Sequence, residues 1–188
     1  MTTATQIDLQ KLSGSYTIDQ AHTQIGFVAR HAMVTKVRGA FNEFTGTAEF
    51  DAANPAATKV NVTIQAASID TRNEQRDEHL RSNDFLAMKE YPEITFVSTG
   101  FQQTGENTFD LTGDLTIRGV TRSVTIPFTF TGAATDPFGN LRVGFEGSTT
   151  INRQDFGVSW NAALETGGFL VSDKVTLEFE VSAIKNEE

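Results

Sequence analysis

Three histidines, His22, His31 and His79, and the acids Asp77, Glu78 and Asp84 are the side chains best suited to chemistry in this sequence. Imidazoles and carboxylates together can hold a metal or move protons. Their spacing argues against metal binding. No ligand motif joins His22 to His31, and next-but-one neighbours such as Asp77 and His79 point apart on a helix. There is no G-x-S-x-G elbow to present a nucleophilic serine. Guanidinium groups would suit an anionic head group, and Arg72, Arg76, Arg81, Arg118, Arg122 and Arg153 lie near these acids or near turns. The simpler reading pairs Arg76 and Arg81 with neighbouring acids and Arg153 with Asp155.

Composition narrows the chemistry further. The 188 residues carry a formal charge of −9, which disfavours non-specific attraction to nucleic acid or to an anionic membrane surface. The absence of cysteine removes disulfides, thiolate nucleophiles and cysteine-ligated metals. No apolar run approaches the length of a membrane-spanning helix. The first residues lack a basic segment followed by an apolar one, so the sequence predicts a cytoplasmic protein with a disordered leader at 1–13 and one domain over 14–188. Fifteen phenylalanines, against two tyrosines and one tryptophan, supply large apolar area with no polar handle. They fit either a packed core or an interior lined for a hydrocarbon ligand.

The elements that must position these residues alternate with period two, the signature of strands with one buried face. Val175, Leu177, Phe179, Val181 and Ala183 form one inward row. Val124, Ile126, Phe128 and Phe130 form another, and Pro127, on the outward face, predicts an edge or bulged strand. Further rows are Val60, Val62 and Ile64; Phe109, Leu111, Leu115 and Ile117; Leu141, Val143, Phe145 and Ile151; and Phe44, Ala48 and Phe50. Ile25 with Phe27 and Ile94 with Phe96 begin two more. Arg118-Gly119-Val120-Thr121 reads as a tight hairpin. With about eight strands and no βαβ alternation, the chain is an antiparallel all-β barrel or sandwich. Glycines on inward rows (Gly46, Gly113, Gly147) favour a barrel with interior space. Residues 73–86 hold helix formers without Gly or Pro, and predict one crossover helix of about three turns near a barrel opening.

Five ordered segments carry a resemblance: YTIDQAHTQIGFVARH, GAFNEFTGTAEFD, IDTRNEQRDEHLRSNDFLAMKEYPEITF, GDLTIRGVTRSV and NRQDFGVSW. Together they resemble the YceI-like family of lipocalin-like, polyisoprenoid-binding proteins. The third segment is the most specific. The resemblance implies an all-β, antiparallel, lipocalin-like barrel with a long apolar channel. It implies a polyprenyl or isoprenoid-quinone type of ligand, homodimerisation and no catalytic role or cofactor.

Two functional readings follow. In the first, the protein carries or stores a long-chain amphiphile. Phe27, Phe44, Phe96, Phe109, Phe128, Phe145 and Phe179 then line the channel by strand parity, and His31, Arg72 and His79 contact the head group. In the second, it is an enzyme acting on a similar substrate, with Asp77 and His79 as acid and base.

Overall fold

The computed structural model of the protein describes residues 9–165, 168 and 170–187. Eleven strands pair antiparallel in one sheet: β1 (Gly14–Ile18), β2 (Gln24–His31), β3 (Thr35–Phe41), β4 (Phe44–Phe50), β5 (Lys59–Gln65), β6 (Ile69–Asp70), β7 (Glu93–Gln103), β8 (Thr108–Ile117), β9 (Val120–Thr135), β10 (Leu141–Asn152) and β11 (Lys174–Lys185). The order β1-β4-β5-β7-β8-β9-β10-β11 closes through β1–β11 pairing into an eight-strand barrel. Beyond β11, β2, β3 and β6 continue the sheet. The predicted antiparallel barrel is the observed fold.

The register defines two ends. The β2–β3 turn, the β8–β9 turn, the β6–β7 connection and the β10–β11 connection share the upper end. The β4–β5, β7–β8 and β9–β10 turns share the lower one. At the β8–β9 turn both Arg118 (φ 50°) and Gly119 (φ 73°) adopt left-handed backbone, the conformation that matches the twist of a tight hairpin.

The structure refines three details. β9 is not an edge strand, because it pairs with β8, through Asp110 and Pro127 among others, and with β10. It is a bulged strand, as the alternative expectation has it, but the extra residue is Thr131, where the register with β10 shifts, and not Pro127. The ladder with β10 ends at Phe128, one residue short of the proline. The missing N–H thus falls where the two strands part. The helix is shorter than expected: α1 (Glu74–Arg81) is capped by Asn73, whose side chain accepts from the Arg76 N–H. It stops where the Ser82 hydroxyl and N–H both donate to the His79 carbonyl, an arrangement that competes with further helical bonding. Residues 83–92 are turns and irregular chain. Of the expected leader, residues 1–8 lie outside the described residues, and Leu9–Leu12 form a 3-10 turn with Leu12 buried. The Tyr16 hydroxyl donates to the Leu12 carbonyl at 2.6 Å, and burial raises the pKa of this phenol.

The inward glycines serve a purpose the sequence reading did not foresee. A Cβ on Gly113 would stand 2.4 Å from the Phe96 ring, one on Gly147 2.5 Å from Phe128, and one on Gly39 2.3 Å from Phe27. Each ring therefore lies over a glycine of the adjoining strand. The space left by the missing side chain is filled by a phenyl group lying along the wall. Aromatic cover of this kind protects the backbone at a strand glycine and keeps the ring out of the lumen.

Candidate functional site

The inward rows enclose an apolar cavity of about 340 Å³. Its wall includes Phe27, Phe96, Phe109, Phe128, Phe145 and Phe179, six of the seven phenylalanines expected from parity. Phe44 is buried, but it packs in the core cluster with Ile64, Ala66 and Phe85 and is not part of the lining. Phe50, Phe101 and Phe130 also face the cavity. A register shift between Ser98 and Gly100 explains Phe101: the extra residue reverses the parity begun by Ile94 and Phe96. The phenyl groups touch one another down the barrel, with Phe101 and Phe109 stacked at 5.0 Å and Phe128 tilted against Phe179 at 6.0 Å.

Polar atoms are scarce in this wall. The Thr23 hydroxyl donates to the Ser182 carbonyl. The Thr58 hydroxyl, near the lower end, is the one buried side-chain polar atom without a hydrogen-bond partner among the described residues. Arg153 is the one charged residue of the lining among the described residues.

Arg153 follows β10 directly and is 5% exposed. Its guanidinium donates to the carbonyls of Ser172 (2.8 Å), Val158 (2.7 Å), Trp160 (2.9 Å) and Val171 (3.3 Å). The Asp173 carboxylate lies 3.6 Å away. Burial holds its pKa below the usual arginine value, with Asp173 opposing that shift. Arg153 thus ties together both flanks of the β10–β11 connection, whose described residues include no strand, so that several of their carbonyls take a donor from this side chain. The expected pairing with Asp155 does not occur; the Asp155 carbonyl instead accepts from Arg122. The available signal was the aperiodic stretch after residue 157, whose carbonyls need donors from somewhere.

Helix α1 and the turns after it cover the same end. Asp77 is 3% exposed and accepts from both the N–H and the hydroxyl of Thr71 through Oδ1. Arg76 donates to the Thr71 hydroxyl and carbonyl, not to an acid, whereas Arg81 does meet Glu74 at 3.3 Å. His79 Nε2 lies 2.8 Å from Asp84, and its ring stands edge-on to Phe85 and to Trp160 of the β10–β11 connection. Arg118 donates to the Phe85 carbonyl and pins these turns to the β8–β9 hairpin.

None of His31, Arg72 and His79 belongs to the cavity lining. His31 is exposed at the end of β2, where it bridges Val171. Arg72 is exposed, with a left-handed backbone (φ 64°) and its N–H bonded to Asp70. That bond is the main cause holding the Asp70 carboxyl below its ordinary pKa. His22 pairs with Asp19 on the outside. Asp77 and His79 are not brought together: one is committed to Thr71, the other faces Asp84. Among the described residues no three metal-ligating side chains converge. No helix among them is long and apolar enough to cross a membrane.

This architecture recurs in known proteins. The solved BcnA of Burkholderia cenocepacia superposes with a TM-score of 0.77 at 29% identity, covering 88% of this chain and 98% of BcnA. A polyisoprenoid binding domain from Saccharophagus degradans, implicated in plant cell wall breakdown, superposes at 0.69, covering 91% of this chain and 98% of that one. At 14% identity that likeness shows the shared fold alone. A UPF0312 protein of Pseudomonas savastanoi is 44% identical over 151 residues, 79% of each chain. The model of the YceI-like domain matches residues 16–183, and the chain belongs to that family.

Proposed function

We propose that the protein binds a long-chain amphiphile of the polyisoprenoid or isoprenoid-quinone type and carries or stores it in the barrel. The observation that carries this reading is the apolar cavity, with its phenyl-covered wall and, among the described residues, a single charged lining residue. Transfer of about ten methylenes from water into such a wall contributes on the order of 8 kcal/mol before ordering costs. The head group belongs at the upper end in this reading, where His31, Arg72 and His79 surround the covering segments. Homodimerisation, residence in the cytoplasm and the lack of a resident cofactor are parts of the same proposal.

Catalysis at Asp77 and His79 has no supporting geometry, since the two groups serve different local contacts. The test is mass spectrometry of the purified protein, first intact under native conditions and then after solvent extraction. A discrete isoprenoid adduct is expected. Phe145→Asp with Phe179→Asp should abolish it while circular dichroism still reports a folded barrel. Undiminished adduct in that double variant would remove these residues from the binding wall. Conversion of added ligand by wild type, lost in Asp77→Asn and His79→Ala, would replace the carrier reading with the enzymatic one.

A further inference from the structure

The β2–β3 turn breaks two ordinary preferences at once. Ala32 (φ 52°) and Met33 (φ 64°) both adopt left-handed backbone, which Asn and Gly accept readily and side chains such as methionine do not. The turn also displays apolar side chains to solvent, Met33 at 60% and Val34 at 77% exposure. The other large apolar residues so exposed among the described residues, Val97 and Phe138, stand singly on the outer wall and at the lower end. A strained, apolar hairpin tip is costly to keep unless something contacts it.

The surface beside the tip supplies the second half of the argument. Arg30, Lys36, Arg38 and Lys174 line one outer groove with Met33. The acids in that groove are Glu178, 3.6 Å from Arg38, and Asp173, 3.6 Å from Arg153. Arg30, Lys36 and Lys174 have no ion-pair partner among the described residues. On a chain of net charge −9, this is a local reversal of sign. Ala29 and Val171 belong both to this groove and to the cavity wall, so the basic face lies directly outside the cavity's upper part.

We propose that the β2–β3 tip and its flanking cations form a docking surface for an anionic lipid bilayer. Met33 and Val34 enter the interfacial layer, and Arg30, Lys36, Arg38 and Lys174 meet lipid phosphates. An apolar wedge beside a row of cations fits a bilayer better than nucleic acid, which offers no apolar layer for the tip. The inference goes beyond ligand binding and stands on the surface alone. It also sets the cavity's upper part beside the phase in which a long-chain amphiphile dissolves.

Vesicle flotation tests it, using the full chain and vesicles of phosphatidylglycerol and phosphatidylcholine mixed about 1:1. Flotation should exceed that with pure phosphatidylcholine by on the order of tenfold at low salt and decline as salt rises. Met33→Asp with Val34→Asp, and separately Arg30→Glu with Lys36→Glu, should each reduce it to the phosphatidylcholine level. Phe138→Asp, at the opposite end, should leave it unchanged. These positions are exposed, and an unchanged melting temperature verifies that each variant is folded. Absence of flotation, or equal flotation by all variants, overturns the proposal. So does a change of oligomeric state in Val34→Asp without flotation, which would assign the tip to a contact between copies. Native mass spectrometry on the same samples separates the two readings: ligand without flotation removes the docking surface alone, and flotation without ligand removes the carrier alone.

Discussion

Strand β10 has one arginine near its lower end and another just beyond its upper end, and the two are used in opposite ways. Near the lower end, Arg142 donates to the carboxylates of Asp19 (2.6 Å) and Asp136 (2.8 Å), with its side chain 28% exposed. It links β10 across β11 to the chain just after β1, and so fastens the seam where the first and last strands close the barrel. Beyond the upper end, Arg153 is almost wholly buried and spends its donors on four main-chain carbonyls. The lower arrangement is an ion network whose strength follows the ionisation of its acids. The upper one is a geometric cage for irregular chain, and no titration near neutral pH alters a carbonyl. The seam is held by charge, and the cover over the cavity by shape.

Removal of Arg153 should have the largest effect. In Arg153→Ala, carbonyls that lost solvent on folding lose their donor as well, at a cost of about 3 kcal/mol and a melting temperature lower by roughly 10 °C. Trp160, the single tryptophan, gives one of those carbonyls and packs against His79 and Phe85, so its fluorescence reports the cover directly. Its emission should shift to longer wavelength in Arg153→Ala and stay in place in Arg142→Ala. An equal shift in both variants would erase the distinction between the two ends. Arg153→Lys should recover only part of the loss, since an ammonium cannot span carbonyls that lie on both flanks of the connection.

A smaller effect is expected in the wall between the ends. Gly113→Val places methyl carbons where the Phe96 ring now lies, and the ring must turn into the lumen. The cost is about 2 kcal/mol, typical of overpacking. Ligand occupancy should fall along with stability, because the displaced ring takes volume from the cavity. A ligand-bound fraction equal to wild type would mean that the rings over glycine do not keep the lumen open.

The barrel and most of its lining were legible because strand parity is a local property. Once Phe179 faces inward, Leu177 and Val181 must follow, and the cavity includes all three. Parity failed where the count of residues changes, as at the bulge before Phe101, and no periodicity reveals an extra residue in advance. It also cannot separate a residue that lines space from one that packs beside it, which is why Phe44 was included. Arg153 was hidden for a different reason. Its partners are carbonyls, which every residue carries, so no side-chain pattern marks them. The nearby Asp155 offered a false partner. Gly113 and Gly147 were identified as inward and as a mark of interior space, but their phenyl cover was not legible, because the rings that lie over them come from adjoining strands whose alignment the sequence does not display.

The lower network should produce the smallest effect at neutral pH and a distinct signature in acid. The Asp136 carboxyl is held down to about 2 from an ordinary 3.8, first by the Asn140 N–H, with Arg142 and the Phe138 N–H adding to it against opposing desolvation. Asp19 is lowered too, first by Arg142 and then by His22. A carboxyl with a depressed pKa binds fewer protons folded than unfolded, so its contribution is complete above about 3.8 and disappears as pH falls through about 2. Asp136→Asn keeps an oxygen for the two N–H groups but removes the titration. The variant should therefore be less stable than wild type at neutral pH and converge with it near pH 2, as followed by thermal melts across that range. Arg153→Ala should show a deficit that does not converge, because its carbonyls do not titrate. Parallel melting curves for Asp136→Asn and wild type down to that pH would mean that Asp136 does not carry the charge-dependent part of the seam.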